Sequence, residues 1–257
     1  MSPLPATIPA IVRTRIRAAS RRRTVPTPEE AERRALQLRL LSLLLQYPDS
    51  ELTSRRRQLA AAVTALPPSP AATELTAFMA WFTAEEPEAL ERHYVETFDL
   101  RRKSSLYLTY YLHGDTRRRG MALLALAQRY RAAGWEIDGG ELPDHLPVVL
   151  EFAALGGPGR GEAPLRQHRR GLELIHHALT DAGSPYHHLL AALSSLLPPP
   201  TEADLAAVAQ LAAEGPPAED VGLDPYGSGE FAPPGTFTPP QQAPPTRVPP
   251  ARQDDSR

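Results

Sequence analysis

A carboxylate and an imidazole stand side by side at Asp144-His145, within the stretch Glu141-Leu142-Pro143-Asp144-His145-Leu146-Pro147-Val148-Val149-Leu150-Glu151. Asp144 suits an N-cap, because its carboxylate can accept the free N–H two residues on, at Leu146. Pro147 then falls at the third helical position, where a missing N–H costs little. Leu146, Val149, Leu150 and Ala153 line one face of the helix, and Gly156-Gly157-Pro158-Gly159 ends it. An acid and a histidine above an apolar face make a small recognition device. The same spacing also describes an ordinary cap followed by a surface histidine, and these eleven residues alone leave both readings open.

The other residue types that could do chemistry are sparser. His176-His177 and His187-His188 are adjacent pairs, and neighbours on a helix point about 100° apart, too far to share one ion easily. Neither pair has His-Glu-x-x-His or Glu-x-x-His spacing, so no metal site is expected. His113 follows an aromatic run, where an imidazolium meets the negative end of a helix dipole. Gly156–Gly161 lacks the preceding strand and the Lys-Ser/Thr of a phosphate loop, and no Gly-x-Ser-x-Gly elbow occurs. The absence of cysteine excludes disulfides, thiolate metal sites and a cysteine nucleophile. The pattern is that of a binding module, with no catalytic constellation.

The elements that must position these residues read as helices. Thr27-Pro28-Glu29-Glu30 is a helix start, and the helix is expected to run to about Gln46. The leucines from 36 to 45 leave it little polar face, which places it inside the domain. Asp49 or Ser50 starts a helix to about Leu66. Others are expected at about Ala71–Thr83, with Leu75, Phe78, Met79 and Phe82 inward, and at about Pro87–Phe98, with Leu90, Tyr94 and Phe98 in register. Residues 105–112 suit helix or strand, and no second strand exists to pair with them, so helix is expected. Thr116–Ala133 is expected to turn Met121, Leu124 and Tyr130 inward. Helices follow at 162–182, 185–197 and 201–213. The fold class is therefore all-α, a single domain over 27–213 with nine or ten helices.

The ends differ in composition. Residues 1–25 hold six arginines and no acid, and 1–26 read as a disordered basic arm. Residues 214–257 hold eleven prolines, five glycines and seven acids, and read as a disordered Pro-rich acidic tail. No apolar run is long enough to span a membrane and no secretory signal is evident, so the cytoplasm is the expected location.

Tyr94-x-x-x-Phe98-Asp99, Ser105-Leu106, His113-Gly114-Asp115, Arg119-Gly120, Tyr130, and Glu141 to Pro147 with Leu150-Glu151 together resemble the nitrate reductase assembly chaperones, the NarJ group of the TorD/DmsD superfamily of redox-enzyme maturation proteins. The resemblance covers about 30–155 and extends loosely to 213. It implies a TorD-like, all-helical cytoplasmic chaperone with no cofactor of its own and no catalytic activity. Its partner would be the apo molybdenum-containing catalytic subunit of a nitrate reductase, bound through its N-terminal peptide and held open for cofactor insertion while membrane docking is delayed. Proteins of molybdenum cofactor biosynthesis are further implied partners, and neither nucleic acid nor membrane insertion is. Groove residues of relatives are matched by Tyr94, Phe98, Asp144 and His145. An amphipathic peptide would then lie against Tyr94, Phe98, Tyr107, Tyr111 and Leu146, with Asp144 supplying negative charge and His145 a hydrogen bond. Two rival readings are a helical nucleic-acid-binding regulator using the arginine arm, and a helical enzyme or metal protein.

Overall fold

The computed structural model describes residues 27–137 and 140–214, with the side chains of 203 and 211–214 excepted. The basic arm, the Pro-rich tail and Gly139 lie outside the described residues. Helix α1 (Pro28–Leu44) starts as its sequence dictates. Thr27 accepts from the Glu30 N–H while the Glu30 carboxylate accepts from the Thr27 N–H, a reciprocal cap that satisfies two otherwise free donors. Its second half is buried through Leu38, Leu40, Leu41, Leu44 and Leu45. It packs most extensively on α8 (Leu146–Gly156) and also meets α11 (His187–Leu196), which in turn lies along α4 (Pro70–Ala84). Leu75, Phe78, Met79 and Phe82 of α4 are all buried, as their spacing requires.

Among the described residues there are twelve α-helices, more than the nine or ten expected, because two expected helices are each split. The segment after Asp49 divides into α2 (Ser50–Ser54) and α3 (Arg56–Thr64). Asp49 caps it through the Leu52 N–H, but the Thr53 and Ser54 hydroxyls donate back to carbonyls of the same turn, which competes with continuation of the helix. The segment from 162 divides at His168 into α9 (Ala163–Gln167) and α10 (Arg169–Asp181), and the His168 Nδ1–H is taken up by the Pro164 carbonyl. Helix α5 (Pro87–Tyr94) passes into one wide turn, Val95–Asp99, closed by the Leu100 N–H on the Val95 carbonyl. Such i→i+5 turns are uncommon and often mark functional positions.

Residues 105–107 are not helical. Helix α6 is Leu108–His113, and Tyr107 pairs instead with His145 in an isolated antiparallel bridge. Helix α7 (Arg117–Ala132) also departs from expectation: Met121 is 68% exposed and Leu124 45%, and only Leu126 and Tyr130 are buried. Met121/Leu124 and Leu126/Tyr130 each fit helical spacing on opposite faces, so periodicity alone cannot choose between them. Helix α8 ends at Gly156 with Gly157 at φ 67°, and the kinked segment Gly157–Gly161 leads into α9. Helix α12 is Glu202–Glu214.

Candidate functional site

The α6 and α8 ends are joined by the bridge. The Leu108 N–H donates to the Asp144 carbonyl at 3.0 Å and the Leu146 N–H to the Leu106 carbonyl at 2.8 Å. Helix α8 therefore starts one residue later than expected, with His145 at the cap position and Pro147 second in the helix. Asp144 does not cap it. Its Oδ2 accepts from the Thr109 N–H at 3.0 Å and from the Thr109 hydroxyl, so Asp144 caps α6 across the bridge, at that helix's second residue. Arg119 reaches the same cluster, with Nε donating to Thr109 Oγ1 at 3.3 Å and a terminal nitrogen 4.0 Å from Asp144 Oδ2. Asp144 is fully buried. It is therefore not an exposed negative charge for a peptide, the role that the resemblance implies for it.

Next to this joint lies a cavity of about 450 Å3 lined by Gln46, Tyr47, Tyr94, Phe98, Asp99, Leu106, Tyr107, Glu141, His145, Pro147, Val148 and Glu151. The structure thus brings four of the seven expected site residues, Tyr94, Phe98, Tyr107 and His145, to one cavity. It places Asp144, Leu146 and Tyr111 beneath that surface as buried supports. The Tyr111 hydroxyl donates to the Ser105 carbonyl at 2.8 Å, pinning the loop that carries Leu106 and Tyr107. The Tyr94 and Phe98 rings meet at a tilt with centroids 4.8 Å apart, and both contact the buried Tyr186 ring edge-on. The Tyr94 hydroxyl donates to the Leu45 carbonyl at the end of α1. Tyr47, 43% exposed, meets Tyr94 edge-on at 5.5 Å.

On the opposite wall, the Tyr107 and His145 rings stack at 5.1 Å. Glu141 holds both, accepting from the Tyr107 hydroxyl at 3.1 Å and lying 3.4 Å from His145 Nδ1. Burial pushes the His145 imidazole below its ordinary range, against the opposing pull of Glu141, Asp144 and Asp99. Burial, reinforced by Glu141, pushes the Tyr107 hydroxyl up to about 12. Burial likewise raises Tyr94. These hydroxyls stay neutral donors, and the charge of the lining is carried by Asp99, Glu141 and Glu151.

Tyr47, Asp99 and Glu151 are among the eight lining residues that the sequence reading left out of its site, with Gln46, Leu106, Glu141, Pro147 and Val148. Tyr47 carries one legible signal, an aromatic ring between a helix end and Pro48-Asp49. Glu151 sits three residues after Val148 and four after Pro147, on one helical face with them. Among the described residues no group of three or more metal-ligating side chains converges, and no helix is long and apolar enough to cross a membrane.

Residues 65–192 match the family described as nitrate reductase delta subunit. The chain is 41% identical over 152 residues to the nitrate reductase-like protein NarX of Mycobacterium tuberculosis, a match covering 59% of this chain and only 23% of NarX. It is 34% identical to a Bacillus subtilis protein named "probable nitrate reductase molybdenum cofactor assembly chaperone NarJ", over 61% of this chain and 87% of the relative. With the Escherichia coli nitrate reductase molybdenum cofactor assembly chaperone NarJ the identity is 36%, over 46% of this chain and 51% of the relative. A crystal structure of an Archaeoglobus fulgidus protein named "putative redox enzyme maturation protein" aligns with 23% identity and a TM-score of 0.47, over 62% of this chain and 90% of that one.

Proposed function

Since this chain belongs to the nitrate reductase delta subunit family, the NarJ-type assembly chaperones, we propose that it grips the N-terminal segment of the apo catalytic subunit of a nitrate reductase in the tyrosine-walled cavity. Held there, the subunit stays receptive to its molybdenum cofactor and is kept from early docking on its membrane partners. The chain acts as a chaperone and not as a catalyst.

The observation that carries this reading is the single cavity formed by Tyr47, Tyr94, Phe98, Tyr107 and His145 with three carboxylates around it. Aromatic walls take apolar side chains of a peptide, and large rings supply contact area at low entropic cost. Asp99, Glu141 and Glu151 favour basic residues of the same peptide, the task the sequence reading gave to Asp144. Neutral His145 offers its ring to the peptide backbone. The cavity accommodates a few side chains, and the remainder of a standard interface, about 800 Å2 per partner, would lie on the surrounding surface.

Isothermal calorimetry with a synthetic N-terminal peptide of the catalytic subunit tests the proposal. Tyr47→Ala and Glu151→Gln change exposed or cavity-facing groups and leave the core intact. Each is expected to weaken binding by about fivefold or more, in line with about 1 kcal/mol for a contributing interface residue. Affinity unchanged in both variants would remove this cavity from the reading, and a peptide that the wild-type chain ignores would end it.

A further inference from the structure

Helix α7 offers a second surface of opposite character. Its sixteen residues include five arginines and neither aspartate nor glutamate. The inner side is fixed by Leu126 and Tyr130. The outer side exposes Met121 and Leu124, with Ala125 beside them and the exposed Arg118 and Arg131 flanking. Ala125 also rims a depression of about 230 Å3, lined by Leu112, His113, Ala122, Leu126, Arg129, Gln167 and His168 as well. No carboxylate is among those residues, while two imidazoles, a guanidinium and an amide are. His168 is 7% exposed, and its Nδ1–H is already committed to the Pro164 carbonyl at 2.9 Å, which fixes the ring. The acids next to α7 in sequence are Asp115 and Glu136, at its two ends, and Asp115 is paired with Arg119 at 3.1 Å.

An apolar stripe flanked by arginines, continuous with a small donor-lined depression, asks for a ligand with two properties. It must bring apolar side chains at helical spacing to meet Met121 and Leu124, and a carboxylate for the depression. We propose that the outer face of α7 and the depression beside it form a second docking surface, for an acidic amphipathic segment of another protein. The carboxylate enters beside the Arg129 guanidinium, with His113 and the Gln167 amide as the further donors of the lining. An anionic membrane would also attract the arginines, but two exposed large apolar side chains are few for an interfacial helix, and a flat headgroup layer leaves the depression without a role. The tyrosine-walled cavity shares no lining residue with this depression and carries the opposite charge. The chain can therefore hold a basic segment and an acidic one without competition between them.

The test uses the full chain and three probes: a labelled amphipathic peptide with Leu on one face and Glu on the other, its Lys-for-Glu counterpart, and phosphatidylcholine vesicles with and without phosphatidylglycerol. The Glu peptide is expected to raise anisotropy on binding, the Lys peptide to fail at this surface, and both vesicle types to remain unbound. R118E combined with R129E is expected to weaken Glu-peptide binding by about tenfold or more and Met121→Ser to weaken it less. Binding of the catalytic-subunit peptide should stay within about twofold, which separates this surface from the cavity. R118E alone, at an exposed position, serves if the double variant misfolds by circular dichroism. The proposal is overturned if wild type ignores the Glu peptide, if the charge reversals leave binding intact, or if phosphatidylglycerol vesicles bind in the peptide's place.

Discussion

Asp144 organises the site from below rather than by touching a ligand. Its carboxylate caps the start of α6, its carbonyl completes the bridge, and its neighbour His145 faces the cavity. Asp144→Ala removes a buried acceptor and leaves the Thr109 N–H and hydroxyl without it, so a loss of about 2 kcal/mol is expected in urea denaturation. Asp144→Asn, which keeps one acceptor oxygen, should lose less. The histidines add a pH dependence. His145, His93, His168 and His176 are all lowered, in each case chiefly by burial. The unfolded chain takes up protons near the ordinary histidine value while the folded chain resists until lower pH, so acid favours unfolding. The midpoint of urea denaturation is expected to fall as pH drops from about 7 to about 5, and His145→Gln should flatten part of that slope. The sequence made the Asp-His pair conspicuous but could not show which helix the acid caps. Residues 109 and 144 meet only through the fold.

At the level of elements, helices with one clear apolar face were readable, as α4 and α8 show, and so was α1, whose second half is apolar nearly all round. Where the chain carried two candidate faces, as in α7, or local hydroxyls that compete for carbonyls, as after Asp49, the outcome depended on neighbours distant in sequence. The turn after α8 shows how tightly one such joint is drawn. A Cβ on Gly161 would lie 2.8 Å from the Ala153 carbonyl oxygen and from the Gly156 carbonyl carbon, both backbone atoms that cannot swing aside. Gly161→Ala is therefore expected to destabilise by about 2 kcal/mol or more, read as a lower melting temperature. The same change at Gly120, where an added Cβ meets nothing within 4 Å, should raise stability by a few tenths of a kcal/mol to about 1 kcal/mol, as alanine replaces glycine inside a helix.

Across the molecule, the ends of the described domain are tied together. Glu162 is 4% exposed and receives the Arg34 guanidinium of α1 through both carboxylate oxygens. Arg166 joins it, and Arg34 also donates to the Leu196 carbonyl of α11. Family and helical class were legible because they rest on local motifs and periodicity. The cavity was partly legible, since Tyr94 and Phe98 fall at helical spacing while Tyr47, Tyr107, His145 and Glu151 are brought to it from other stretches. That gathering has a consequence for timing. The walls come from residues 46 to 151, and the two rings at their base lean on Tyr186, the residue just before α11. A chain truncated before Tyr186 carries every wall residue yet lacks the ring on which Tyr94 and Phe98 rest. Such a fragment is expected to give no heat with the catalytic-subunit peptide, so the proposed grip has to wait for a residue made well after the last one in its walls, Glu151.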